Sequence, residues 1–147
     1  MASLSSLRTN SWDAVYTYIT TKDATPAVPI STTHVHSTMN SKLVVDEGYP
    51  QVAINTPTLE VMKVTVDGRT VQANIFFFIE IYTTSAQTVK SLADEVMRRM
   101  LDGRSYFMGE RMCNMTFEGD DYSTWDDGDK KIHRISMNIS FRFIGDY

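Results

Sequence analysis

The chain has 147 residues, 42% of them hydrophobic and 22% charged, with a formal net charge of −4. Those values describe one folded domain with a core of its own, and they exclude wholesale disorder. They also argue against a protein that wraps nucleic acid through its phosphates, which needs a basic surface.

No stretch approaches the roughly 18 consecutive apolar residues of a membrane-spanning helix, so no membrane partner is expected. The single Cys113 cannot close a disulfide within the chain, and its place in an alternating apolar run predicts a small buried hydrophobe. Residues 1–8 lack the apolar run of a signal peptide, so the chain is expected to be made and used in a cytosol, and the sequons at Asn114 and Asn138 carry no weight.

In chain order, Asn10 or Ser11 is the expected cap of a helix over 12–19, with Trp12, Val15, Tyr16 and Ile19 on one apolar face. Residues 20–47 are rich in Ser and Thr, carry Pro26 and Pro29, and show no sustained period. They predict a long extended arm, with a short strand near Leu43-Val44-Val45, of the kind that orders against a neighbouring molecule. A short strand follows at Val52-Ala53-Ile54. Residues 59–66 and 70–82 then read as a hairpin turning at Asp67-Gly68.

The second of those runs puts Ala73, Ile75, Phe77, Ile79 and Ile81 on one face, with Phe76, Phe78 and Tyr82 on the other. Apolar residues at the middle of both faces predict a central strand covered on two sides, or one whose second face meets a partner chain. Thr84 and Gln87 form a capping-box pattern for the main helix, whose stripe is Val89, Ala93, Val96 and Met100, widened by Leu92 and Leu101. Gly103 is its expected stop.

Two strands close the chain. Residues 112–118 place Cys113, Met115 and Phe117 on one face, and 132–143 alternate strictly between apolar and polar. The acidic segment between them reads as their connecting loop. The expected architecture is therefore α+β: a single domain, with one antiparallel or mixed sheet, two main helices on a face, and the 20–47 arm.

Few residues point to chemistry. His34 and His36 would share one side of an extended strand, but a third ligand is missing, and two polar loop residues is the better reading. The loop at Asp126-Asp127-Gly128-Asp129 lacks the order of a calcium loop. Its carboxylates, with Asp120 and Asp121, could serve a metal-dependent hydrolase or nuclease, yet a solvated acidic run is the plainer account. No nucleophile motif, phosphate loop or metal signature occurs, so no enzyme, metal or cofactor is expected. A small-molecule binding domain remains a further alternative. Tyr122 and Trp125 among the acids are the kind of exposed aromatics that mark a contact surface. The nine methionines suit core gaps, and also surfaces that repack against partners.

The run Ile79-Glu80-Ile81-Tyr82-Thr83-Thr84, the helix over 86–101, the strand near Met115-Thr116-Phe117-Glu118, the acidic segment and the alternating strand 133–143 resemble, in their order, the tail terminator or tail completion proteins of long-tailed bacteriophages. The helix over 12–19 fits the same layout. The resemblance implies a structural virion protein, assembled in the host cytoplasm, that forms a hexameric ring at the head-proximal end of the tail tube. Its partners would be other copies of itself, the tail tube protein and a head-completion or neck protein, with genome DNA passing through unbound. Another neck component, a head-completion or adaptor protein, is the alternative within that setting. The expected contact residues are Phe76, Phe78, Lys90, Arg98, Arg99, Asp120, Asp121, Tyr122, Trp125, Asp126 and Asp127, with the basic helix face pairing with the acidic loop of a neighbour.

Overall fold

A computed structural model describes residues 6–22, 30, 34–37, 48–64 and 70–146. Helix α1 spans Leu7–Thr17 and runs on into a π turn over Tyr18–Lys22. Strands β1 (Val35–His36), β2 (Gln51–Ile54), β3 (Thr58–Val64) and β4 (Thr70–Thr83) follow. Helices α2 (Ala86–Asp102) and α3 (Arg104–Gly109) then lead to strands β5 (Met112–Asp127) and β6 (Lys130–Asp146).

The six strands form one sheet in the order β1-β2-β4-β6-β5, with β3 also paired to β4. Among the described residues only the β1–β2 pairing is parallel. The fold is the expected α+β arrangement, with a mixed sheet. β4 holds its centre, because β2 takes its C-terminal half, β3 its N-terminal half, and β6 the whole of its other side.

The alternation of β4 sets the layers. Val71, Ala73, Ile75, Phe77, Ile79 and Ile81 are buried, and they join Met137, Ile139, Phe141 and Phe143 of β6 on the inner face. Leu7, Ala14 and Val15 of α1, Ile19 of the π turn, and Val89, Leu92, Val96 and Met100 of α2 cover that face. Phe107 of α3 completes the cluster, edge-on to Phe141 at 5.3 Å. Among the described residues no helix covers the other face, where Phe78 is 44% exposed and Phe76 half-buried. Of the two alternatives expected for this strand, cover on both sides is not met among the described residues.

Helix boundaries shift by local hydrogen bonding. Asn10 and Ser11 do not cap α1 but lie inside it: the Ser11 hydroxyl donates to the Leu7 carbonyl at 2.6 Å, and the helix begins after Ser6. At its other end the Thr20 and Thr21 hydroxyls donate to the carbonyls of Tyr16 and Thr17, back-bonding that accompanies the wide π turn. The α2 cap is Ser85 rather than Thr84; its hydroxyl accepts from the Thr88 N–H at 3.4 Å, while Thr84 is exposed.

Gly103 ends α2 with φ −78°, an ordinary right-handed value. Its reason for being glycine is close approach: a Cβ there would sit 2.8 Å from the Tyr18 ring and 2.9 Å from that of Phe107. The short α3 that follows was not expected from the sequence.

Of the expected arm over 20–47, residues 20–22 belong to the π turn and Val35–His36 adds a strand to the sheet. The strand expected at Leu43-Val44-Val45 and the turn at Asp67-Gly68 lie outside the described residues. The register Val64↔Val71 nevertheless makes β3 and β4 the expected antiparallel pair.

Candidate interaction surface

The acidic segment is a strand rather than a loop. β5 continues through it to Asp127 and pairs with β6 along its length, ending at Asp127↔Lys130. Only Gly128 and Asp129 turn the chain, and Gly128 takes φ 65°, at the position where a two-residue II′ hairpin places glycine. The last pair between β4 and β6 is Thr83↔His133. Beyond it Trp125↔Ile132, Asp126↔Lys131 and Asp127↔Lys130 continue as a free two-stranded ribbon. The two lysines set opposite charges across from two of the aspartates, which favours this register.

Two bulges re-aim β5, one between Cys113 and Thr116 and one between Phe117 and Gly119. The first corrects the expected burial of Cys113. Met112 pairs with inward Phe143, so Cys113 falls opposite outward Arg142 and is half-buried, and the shift then returns Met115 and Phe117 to the core edge. Asn114, with φ 52°, lies inside that shift.

The ribbon is anchored by a second, smaller cluster on the open face. Ile132 is buried with Ala53 and Tyr82, and Tyr49 packs against them. Trp125 meets Tyr82 edge-on at 5.8 Å and is still 40% exposed. The Tyr82 hydroxyl donates to Glu80, whose other oxygen accepts from Asn55 Nδ2 at 3.1 Å. Burial first, then this bond to Glu80, pushes the Tyr82 hydroxyl far above its ordinary pKa, so it stays a proton donor at any physiological pH. Burial, with the charge of Asp127 behind it, also raises the Tyr49 hydroxyl.

Tyr122, 49% exposed, stacks on His133 with ring centroids 6.0 Å apart, and its hydroxyl lies 2.6 Å from His133 Nδ1. Asp121 reaches Arg134 at 3.7 Å. Asp120, Asp121, Tyr122, Trp125, Asp126 and Asp127 thus share one exposed strand, and successive members point to opposite sides of it. That alternation keeps neighbouring carboxylates from converging, and among the described residues no group of three or more His, Cys, Asp or Glu is arranged to hold a metal. It offers contact area and charge instead.

The basic helix face is not what the sequence implied. Arg99 is 2% exposed; its Nε donates to Glu95 at 2.9 Å and a second nitrogen donates to the Ile19 carbonyl. Arg98 binds both oxygens of Glu95, at 2.8 and 3.0 Å, and Asp102 at 2.6 Å. Arg99 therefore leaves the surface set and Arg98 is engaged within its own helix, while Lys90 is exposed.

Sequence reasoning overlooked the opposite end of the molecule. Leu101, expected to widen the buried stripe, is 40% exposed, and Met108 on α3 is 61% exposed. Exposed Arg104, Arg111 and Arg142 surround the start of β5 beside them. The helix α3 was the missing signal, because it turns Met108 outward. Cavities are small: about 280 Å³ beside Arg8, Trp12 and Thr56, and about 240 Å³ between Arg104, Met108 and Met115, below the roughly 300–1,000 Å³ of ligand pockets.

No protein-family model matches the chain, and no curated protein sequence matches it.

Proposed function

We propose that this chain is a structural assembly subunit of the tail-terminator kind, forming a hexameric ring at the head-proximal end of a phage tail tube. The ring ends tube polymerisation, presents a docking surface to the head, and lets the genome pass through its bore. The observation that carries this reading is made among the described residues: one sheet face carries no helix, and the 16-residue edge strand β5 has no strand paired to its outer side.

Exposed edges of that length template pairing with other chains unless something blunts them. Here charge and the two bulges limit indiscriminate pairing, which favours one specified neighbour over aggregation. Phe78, Tyr122 and Trp125 supply large contact area at the same surfaces. The order of strand, helix and acidic hairpin also supports the resemblance drawn from sequence. Carboxylates facing a bore would repel DNA phosphates and allow sliding without binding.

The experiment is imaging of the purified chain, and of tails assembled with and without it. The reading expects a closed ring on the tube axis, and tubes of uncontrolled length when the chain is withheld. A ring found on the head side alone would make it another neck component. Metal-dependent cleavage of DNA that is lost on neutralising the aspartates of β5 would overturn the structural reading altogether.

A further inference from the structure

β5 is electrically polar along its length, and its two ends differ in kind. From 118 to 131 there are six acidic residues against two lysines, all of them exposed. Where β5 begins, Arg104, Arg111 and Arg142 are exposed around Met112, Cys113 and Asn114. The nearby carboxylates are mostly engaged: Asp102 holds Arg98, and Glu118 accepts from the Ser140 hydroxyl at 2.9 Å. Glu110 is the exception among the exposed side chains there.

Both ends also expose apolar area. Tyr122 and Trp125 are 49% and 40% exposed on the acidic arm, and Met108 and Leu101 are 61% and 40% exposed at the basic end. Between Arg104, Met108, Met112 and Met115 lies the cavity of about 240 Å³, walled by flexible thioethers that can adapt to an inserted ring. Arg111 adds a backbone observation. It follows α3 with φ 63°, a left-handed position that glycine takes without strain, yet the residue there is an arginine.

We propose that the acidic β5–β6 hairpin of one copy docks against the basic, methionine-lined end of the next copy, formed by Leu101, Arg104, Met108 and Arg111. This rests on the ring reading above and names the two patches that close it. The contact is heterologous: each copy uses one patch to give and a different one to receive. Such contacts close into a ring when the rotation between copies permits, and otherwise propagate as a filament. Opposite charge sets the orientation and excludes arm-to-arm pairing, while the aromatic and thioether groups supply the contact area.

The test uses two charge-reversed forms of the full chain. One carries Glu118→Lys, Asp120→Lys and Asp129→Lys, positions that do not face a lysine across the ribbon, which leaves three acids against five lysines in 118–131; the other carries Arg104→Glu with Arg111→Glu. Light scattering reads their association, and circular dichroism melting checks that each is folded. Each form alone should associate at least about tenfold more weakly than the wild type, since like charges then meet. An equimolar mixture should recover oligomers holding both forms in equal number, because each reversed arm now faces a reversed end. If the wild type forms rings and either folded variant does so equally well, or the mixture fails to recover, this contact is wrong and the ring reading stands. Variants that still form rings but no longer bind tail tubes would assign the arm to the tube protein instead. A wild type that stays monomeric would remove both proposals.

Discussion

Glu95 and Arg99, one turn apart on α2, share a 2.9 Å hydrogen bond with both side chains 3% exposed. Through Arg99 the pair also reaches the Ile19 carbonyl in the π turn, so a buried ion pair ties α2 to the end of α1. Removing Glu95 takes from the buried Arg99 guanidinium the carboxylate it donates to. Glu95→Leu should destabilise the fold by about 3–5 kcal/mol in urea unfolding. Replacing both, Glu95→Leu with Arg99→Met, should recover most of that loss, because an uncompensated charge costs more than a matched pair contributes. Equal losses in the single and double variants would refute this account of the pair.

The same carboxyl makes stability pH-dependent. The Arg98 guanidinium, then that of Arg99, holds Glu95 at a pKa of about 2 against the opposing effect of burial, where 4.5 is its ordinary value. A depressed folded-state pKa contributes stability above the unfolded value, and that contribution is lost as pH falls through the folded one. Stability should therefore decline between about pH 4.5 and pH 2, by roughly 3 kcal/mol from this group. In Glu95→Gln that part of the acid-induced decline should disappear; an unchanged profile would contradict the assignment.

Two glycines near α3 should respond in opposite ways. Gly103→Ala puts a methyl within 2.9 Å of both aromatic rings packed there, so it should cost about 1–3 kcal/mol. Gly109→Ala meets nothing within 4 Å and should be neutral or slightly stabilising. Thermal melting of the two variants compares them directly.

Adjacent phenylalanines on β4 mark the two sides of the sheet. Phe77 is 1% exposed and meets Phe141 edge-on at 5.9 Å, whereas Phe78 is 44% exposed. Phe77→Ala should cost about 3–5 kcal/mol by opening a cavity. Phe78→Ser should change the stability of the isolated chain by less than about 1 kcal/mol. If the open face is an assembly surface, the same Phe78→Ser variant should weaken self-association.

The strongly periodic elements were legible from sequence. β6 and α2 each carry an alternation or stripe long enough to fix both the element and its buried face, as Ile139 with Phe141 and Val89 with Val96 illustrate, whereas β4, apolar on both faces, was legible as a strand but not as to which face is buried. The far half of β5 was not, because aspartates at 120, 121, 126 and 127 are poor strand formers on propensity. They sit in a strand because β6 pairs with them and both of their faces meet water, so no apolar period is needed. The Asp127-Gly128 dipeptide held the hairpin signal, hidden within a run of acids that reads as a loop. Arg99 misled for a different reason. Charge predicts a surface, and only the fold supplies the Glu95 carboxylate and the Ile19 carbonyl that allow its burial.

Molar mass in solution, read together with images of the same sample, tests self-assembly most directly. The account predicts a single closed species with an axial bore, made of identical copies and stable to dilution until salt screens the arm. A chain that remains one copy per particle at every concentration, and adds nothing to the end of a tail tube, would contradict it.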